Sequence, residues 1–133
     1  MIHEKRIEIR WRDVDAYRHV NNAVYATYLE ECRDEFIIAA LGPVGDPWDY
    51  VLARVAIDFR REVTQEDDAV LVRCSLARIG TSSLTLTEEI VMLDGTVSAR
   101  AESVLVARDV EAGGSRPLTD AERAAFERVL VPG

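Results

Sequence analysis

The sequence predicts an α+β domain in which an antiparallel five-stranded sheet wraps around one long central helix. Three observations carry this. One long stretch, Val24 to Leu41, repeats its apolar residues at helical spacing. Residues 51–108 alternate apolar and polar side chains, with short turn signals between the runs. A further alternating segment precedes the helix. A sheet with one apolar face must have that face covered, and the long helix is the candidate cover. At 133 residues, 48% of them apolar, the chain reads as a single domain spanning 1–133 with an ordinary packed core.

Residues 3–12 open the order. Ile7, Ile9 and Trp11 share one face and Glu8, Arg10 and Arg12 the other, as in a half-buried strand. The polar stretch Asp13–Asn22 follows, and either Asn21 or Asn22 suits a helix N-cap. In the helix, Tyr25, Tyr28, Leu29, Cys32 and Phe36 form an apolar stripe that Ile37, Ala40 and Leu41 extend. Glu30, Arg33 and Asp34 are assigned to its wet side. Gly42-Pro43 ends it, since Gly suits the C′ position and Pro cannot continue a helix.

Strands then follow one another. Val55, Ile57 and Phe59 alternate with Ala56, Asp58 and Arg60; Val70, Val72, Cys74 and Leu76 alternate with Leu71, Arg73 and Ser75. Leu84, Leu86, Ile90 and Met92 keep one parity, Asp94-Gly95 is a two-residue hairpin signal, and Val97–Ala107 closes the set. Strands joined by such short turns pair antiparallel. Thr119 and Glu122 resemble a capping box, which predicts a short helix over 120–130.

The net charge of −8, without a basic run, argues against nucleic-acid binding. An anionic ligand would need a local arginine cluster, for which Arg60, Arg61 and Arg78 are candidates. Cys32 and Cys74 form no C-x-x-C pair and read as buried thiols of a reducing compartment. No His/Cys/Asp group has zinc-like spacing, so no metal is expected. The first residues carry no apolar run and no window reaches the roughly 18 apolar residues of a membrane span, so a cytoplasmic protein that avoids membranes is expected.

Chemistry concentrates in Asp13-Val14-Asp15-Ala16-Tyr17-Arg18-His19-Val20-Asn21-Asn22, with two carboxylates, an imidazole and two amides. A carboxylate can act as general base or nucleophile on a thioester, and the free N–H groups of a helix start can hold the oxyanion. Asp15 lies seven residues before Asn22, so a curved loop can bring both to one atom. Asp13 continues the strand parity and reads as a turn-fixing acid. His19 reads as either a general base or a ring bonded to the loop backbone, and Tyr25 and Tyr28 read as core residues. Ser82 and Ser83 lack a G-x-S-x-G elbow and do not suggest a serine hydrolase.

The strand, then Asp-x-Asp-Ala, then His19-Val20-Asn21-Asn22-x-x-Tyr25 opening a helix, resembles the hotdog-fold acyl-CoA thioesterases of the 4-hydroxybenzoyl-CoA thioesterase and YbgC-like branch. Ala53–Arg61 and Arg78-Ile79-Gly80-Thr81-Ser82-Ser83-Leu84 are similar to the same branch, so the likeness spans residues 5–108. It implies metal-free thioester hydrolysis at two sites on a homodimer interface, with CoA as part of the substrate and no separate cofactor. The catalytic carboxylate matches Asp15, and the carbonyl-polarising backbone N–H matches Asn22. Arg60, Arg78, Ser82 and Ser83 are the candidate contacts to CoA, those around Arg78–Ser83 being supplied by the neighbouring subunit. The family commonly has Gly before the His; Arg18 stands there, which implies a different loop path.

Open sheet edges independently favour a homodimer or dimer of dimers. Two other functions compete with hydrolysis: enoyl-CoA hydration, and acyl-CoA binding without turnover. Hotdog hydratases place His five residues after Asp with Asn-Pro between, whereas Asp15 and His19 are four apart with no Pro. Binding-only sensors of this fold usually carry a DNA-binding helical domain, for which the chain has neither room nor charge. An acidic surface disfavours an acyl carrier protein, itself acidic, as the thioester carrier.

Overall fold

The computed structural model describes residues 1–132. Its elements are β1 (Ile2–Glu8), α1 (Asn22–Leu41), β2 (Tyr50–Phe59), β3 (Ala69–Ile79), β4 (Ser83–Met92), β5 (Val97–Ala107) and α2 (Asp120–Glu127). The strands form one five-stranded sheet in the order β1-β3-β4-β5-β2, every neighbour antiparallel. The sheet curls around α1, and the core is the space between them. This is the hotdog fold.

The first strand stops at Glu8, earlier than its alternation predicts, and Trp11 is 86% exposed. The cause is Asp13, whose carboxylate accepts the Arg10 N–H and caps a single 3₁₀ turn over Trp11–Asp13. That turn lifts the chain off the sheet one residue pair after Ile9.

Asn21 is the cap of α1, its Oδ1 accepting the Ala23 N–H, and Asn22 is the first helical residue. Gly42 closes the helix at φ +58, a conformation L side chains rarely adopt, and donates to Ile38 O. The expected apolar stripe is buried, but the wet side is corrected in one place. Arg33 is buried, because it lies on the Leu29-Arg33-Ile37 row, which faces the sheet. Its partner is Glu88, which occupies the inward parity of β4 between Leu86 and Ile90 and is 1% exposed.

Strands β3, β4 and β5 bury one full face. Strand β2 does not: from Val51 to Phe59 only Ile57 is partly buried. Helix α1 packs over β1, β3 and β4, so β2 projects past it as an uncovered edge. Between β3 and β4 the turn needs Gly80, since its N–H donates to Ser83 O at 2.7 Å and Ser83 Oγ occupies the place of a β-carbon.

The capping box is present, Thr119 and Glu122 exchanging backbone and side-chain bonds. Helix α2 ends at Glu127 rather than near 130, because Val131 donates to Leu76 O and draws the tail along β3. The buried Glu122 also accepts the Tyr50 hydroxyl at 2.6 Å and Arg116 Nη1 at 2.7 Å, which ties α2 to the start of β2. Among the described residues, no helix is long and apolar enough to cross a membrane.

Candidate active site

The polar stretch before α1 folds back on itself as a small hairpin. Val14 and Val20 pair across it, Asp15 N–H donates to His19 O at 2.9 Å, and Asn21 N–H to Asp13 O at 2.9 Å. Its tip turns at Arg18, whose φ is +66. The different path expected of a non-glycine residue is therefore corrected: Arg18 itself takes the left-handed conformation that a glycine would favour. Hydrogen bonds on both sides of the tip, including Arg18 N–H to Asp15 O at 3.0 Å, over-determine it.

The two acids of the hairpin diverge. Asp13 is buried, and its Oδ2 receives the Tyr28 hydroxyl at 2.6 Å and the Arg10 N–H at 3.0 Å. Burial alone would raise its pKa, but the Tyr28 and Arg10 donors outweigh that and hold the carboxyl below its usual value. Asp15 is half-buried; Oδ1 accepts the Tyr17 N–H at 2.8 Å, and no described group bonds Oδ2.

Asp15 opens onto a cavity of about 460 Å³ that is also lined by Asn21, Asn22, Tyr25, Phe59 and Arg61. The N–H of Ala23 is taken by Asn21 Oδ1 and that of Val24 by Asn21 O, which leaves the Asn22 N–H as the open donor of the first turn. Tyr25 stands edge-on to Phe59, centroids 5.0 Å apart, and its hydroxyl lies 3.4 Å from Ser98 Oγ, so the far wall is fixed by β2 and β5. The His19 ring lies beside Glu62, Nε2 3.0 Å from Oε2, rather than against the loop backbone. Arg61, a candidate for an anionic ligand, does reach the cavity, whereas Phe59 and Glu62 were not expected there; Phe59 had the parity of a strand side chain but nothing marked it as facing a cavity.

The candidate CoA contacts are not gathered here within one chain. Arg60 follows β2 near the cavity, with its N–H donating to Ser98 O. Ser82 and Ser83 lie at the other end of the sheet, where Ser83 pairs with Val106 and Val106 with Val51. Arg78 is at the same end, Nη2 lying 3.4 Å from Thr85 Oγ1. Among the described residues no three His, Cys, Asp or Glu side chains come together as metal ligands do.

A model of the thioesterase-like superfamily matches residues 9–130. A protein described as a predicted thioesterase from Bacillus stearothermophilus is 27% identical, with a TM-score of 0.89 over 100% of both chains. A thioesterase from Thermus thermophilus, solved with coenzyme A and Zn, is 30% identical, with a TM-score of 0.84 over 96% of this chain and 92% of that one. A DHNA-CoA thioesterase from Staphylococcus aureus, 15% identical, shares the fold with a TM-score of 0.83 over 96% of this chain and 90% of that one. The comparison with curated proteins gives no match.

Proposed function

We propose that this chain, which belongs to the thioesterase-like superfamily and is a thioester hydrolase of that family, cleaves an acyl-CoA to free acid and CoA, with Asp15 as general base or nucleophile. The observation that carries the reading is that the Asp15 carboxylate and the open Asn22 N–H border one cavity. A thioester carbonyl against the start of α1 would receive that N–H as its oxygen gains charge, reinforced by the helix dipole. Acting as base, Asp15 takes a proton from water, the hydroxyl adds to the carbonyl carbon, the C–S bond breaks, and CoA leaves as thiolate and is reprotonated. Acting as nucleophile, Asp15 displaces the thiolate to form an anhydride that water then cleaves. The rings of Tyr25 and Phe59 offer the acyl side an apolar wall. No metal is assigned to the step.

The working unit is a homodimer, alone or paired into a dimer of dimers. The uncovered β2 edge supports this. Two β2 strands joined antiparallel across a two-fold axis set the Val51 end of one beside the Phe59 end of the other. Ser82, Ser83 and Arg78 of one subunit then approach the Asp15 cavity of its neighbour, where, together with Arg60, they would meet the CoA phosphates and pantetheine. The presence of coenzyme A in the Thermus thermophilus relative supports CoA as the carrier.

The test is thiol release over a panel of acyl-CoAs with the metal-free protein, alongside light scattering. Turnover by a dimer or tetramer that survives prolonged chelation is the expected result. Tight acyl-CoA binding without any released thiol would replace hydrolysis by a binding role, and full activity in a monomer would remove the interface from the site.

A further inference from the structure

A second cavity, of about 220 Å³, lies at the opposite end of the trough between α1 and β2 from Asp15. Ile37, Ile38, Trp48, Leu52 and Leu105 give it apolar walls. Arg33 also lines it, with a side chain 3% exposed. The guanidinium is only partly spent. Nε donates to Glu88 Oε2 at 2.9 Å, and Nη2 to Glu88 Oε1 at 3.2 Å and Ser103 Oγ at 2.9 Å. Nη1 donates to no described residue, which leaves an unspent donor on a nearly buried side chain that lines the pocket. Glu30 and Asp34, one turn apart on α1, border the same space, and burial together with Glu30 pushes the Asp34 carboxyl above its usual value.

This pocket cannot serve the Asp15 of its own chain directly, because Leu52 and Phe59 are separated along β2 by seven residues, about 23 Å of strand. The antiparallel β2 pairing proposed above would bring it beside the neighbouring subunit's cavity instead. Resting on the hydrolase and dimer reading above, we propose that this pocket holds the far end of the acyl group cleaved at the partner subunit's Asp15. In this arrangement Glu30, Arg33 and Asp34 select acyl groups that end in an uncharged oxygen, a hydroxyl or carbonyl.

Three physical terms set the preference. A cavity of about 150 Å³ takes one benzene ring, so this one fits a short chain or a single ring with a substituent. An alkyl end leaves Nη1 desolvated and unpaired, a cost a neutral oxygen removes. An anionic end would meet Glu30 and Asp34, while Arg33 is already neutralised by Glu88 and offers little net attraction.

The experiment compares alkyl, ω-hydroxy and ω-carboxy thioesters of one chain length. The ω-hydroxy compound is expected to lead the alkyl one in kcat/KM by roughly tenfold, the worth of a hydrogen bond to a charged donor. The ω-carboxy compound should fall last, and Glu30→Gln with Asp34→Asn, both at exposed positions, should restore it by at least about fivefold. The trans arrangement is read by mixing that double variant with an excess of Asp15→Asn chains. Active centres in the mixed dimers then carry the double variant's Asp15 but the other chain's intact pocket, and wild-type selectivity should return. Equal rates for alkyl and ω-hydroxy compounds, or selectivity that stays with the chain supplying Asp15, would overturn the inference. If no thioester is cleaved, the hydrolase reading fails separately, and the order of the three dissociation constants on Asp15→Asn protein still decides the pocket.

Discussion

The Tyr28 hydroxyl sits 2.6 Å from Asp13 Oδ2, which anchors the first acid of the Asp-x-Asp pair to the core of α1 and leaves the second, Asp15, facing the cavity. A single residue, Val14, thus separates a buried structural carboxylate from the one proposed to do the chemistry. Each role predicts a different phenotype.

For Asp13, Asn substitution keeps the volume but removes the charge and turns an amide toward donors that need an acceptor. A buried donor left without a partner costs about 1–3 kcal/mol. The thermal midpoint should fall while most turnover remains. Because the folded carboxyl lies below its usual 3.8, its contribution is complete above that value and is lost as the pH falls through the lower folded value. The gap between wild type and Asp13→Asn should therefore close in strong acid, as read from melting curves taken down that limb.

Substitution of Asp15 by Asn should do the reverse. Its Oδ1 can still accept the Tyr17 N–H, so the loop keeps its bond and the midpoint should hardly move. The lost carboxylate should cut kcat by roughly 10²–10⁴. Unchanged kcat in this variant would transfer the chemistry to another group.

How far the sequence revealed this molecule differs from part to part. The helix and the faces of β3, β4 and β5 were legible because 3.6 and 2 residue periods report burial directly, and the caps because Asn and Gly suit those positions, whereas β2 keeps its alternation without burying a face. Arg33 was misread because its charge outweighed its position, one helical turn from both Leu29 and Ile37 on the buried row. The clue lay fifty-five residues away, where Glu88 holds an inward parity in β4. The end of β1 was missed because Trp11 kept the alternation while Asp13 capped a turn. Asp15 and Asn22 were legible as one motif, being local, but Phe59 and Arg61 join the cavity only through the β2–β5 pairing, a long-range register no local pattern records. The separation of Ser82 and Ser83 from Asp15 is of the same kind.

Arg18 offers a test of strain. A non-glycine residue in the left-handed region carries about 1–2 kcal/mol. Arg18→Gly relieves it, partly offset by the freer unfolded chain, so stability should be unchanged or higher by up to about 1 kcal/mol. Arg18→Val, β-branched at the same φ, should lower the midpoint clearly. Denaturant midpoints of the two variants should fall on opposite sides of, or at and below, the wild-type value; a more stable Val variant would show that the tip is not held in this conformation.

Glu122 governs a second acid-sensitive joint. Burial would raise its pKa, but Arg116, the Tyr50 hydroxyl and the Thr119 N–H outweigh that and lower it from 4.5 to about 2. Its stabilisation is thus full above 4.5 and lost as the pH falls through about 2. Glu122→Gln should melt earlier than wild type at neutral pH, and the difference should shrink across that window. A constant difference would mean that the carboxylate charge is not what holds α2 to Tyr50.

The Arg33–Glu88 pair makes the sharpest energetic prediction, because burial fixes its sign. The two side chains are 3% and 0% exposed, and Ser103 completes the set with a hydroxyl bonded to both. Removing water from two ions costs several kcal/mol each, which their attraction repays only while both are present. Arg33→Met alone strands the Glu88 carboxylate beneath α1 and should cost about 3–5 kcal/mol, as should Glu88→Met alone. The double substitution removes both charges and fills the space with flexible apolar side chains, so it should recover most of that loss and could equal the wild type. The coupling energy from the four denaturation curves should then be large and of opposite sign to the single effects. Additive losses would mean that the pair does not interact in the folded protein. If the double variant folds well but no longer prefers the ω-hydroxy thioester, the ion pair is retained for the donor it presents at Nη1 rather than for stability.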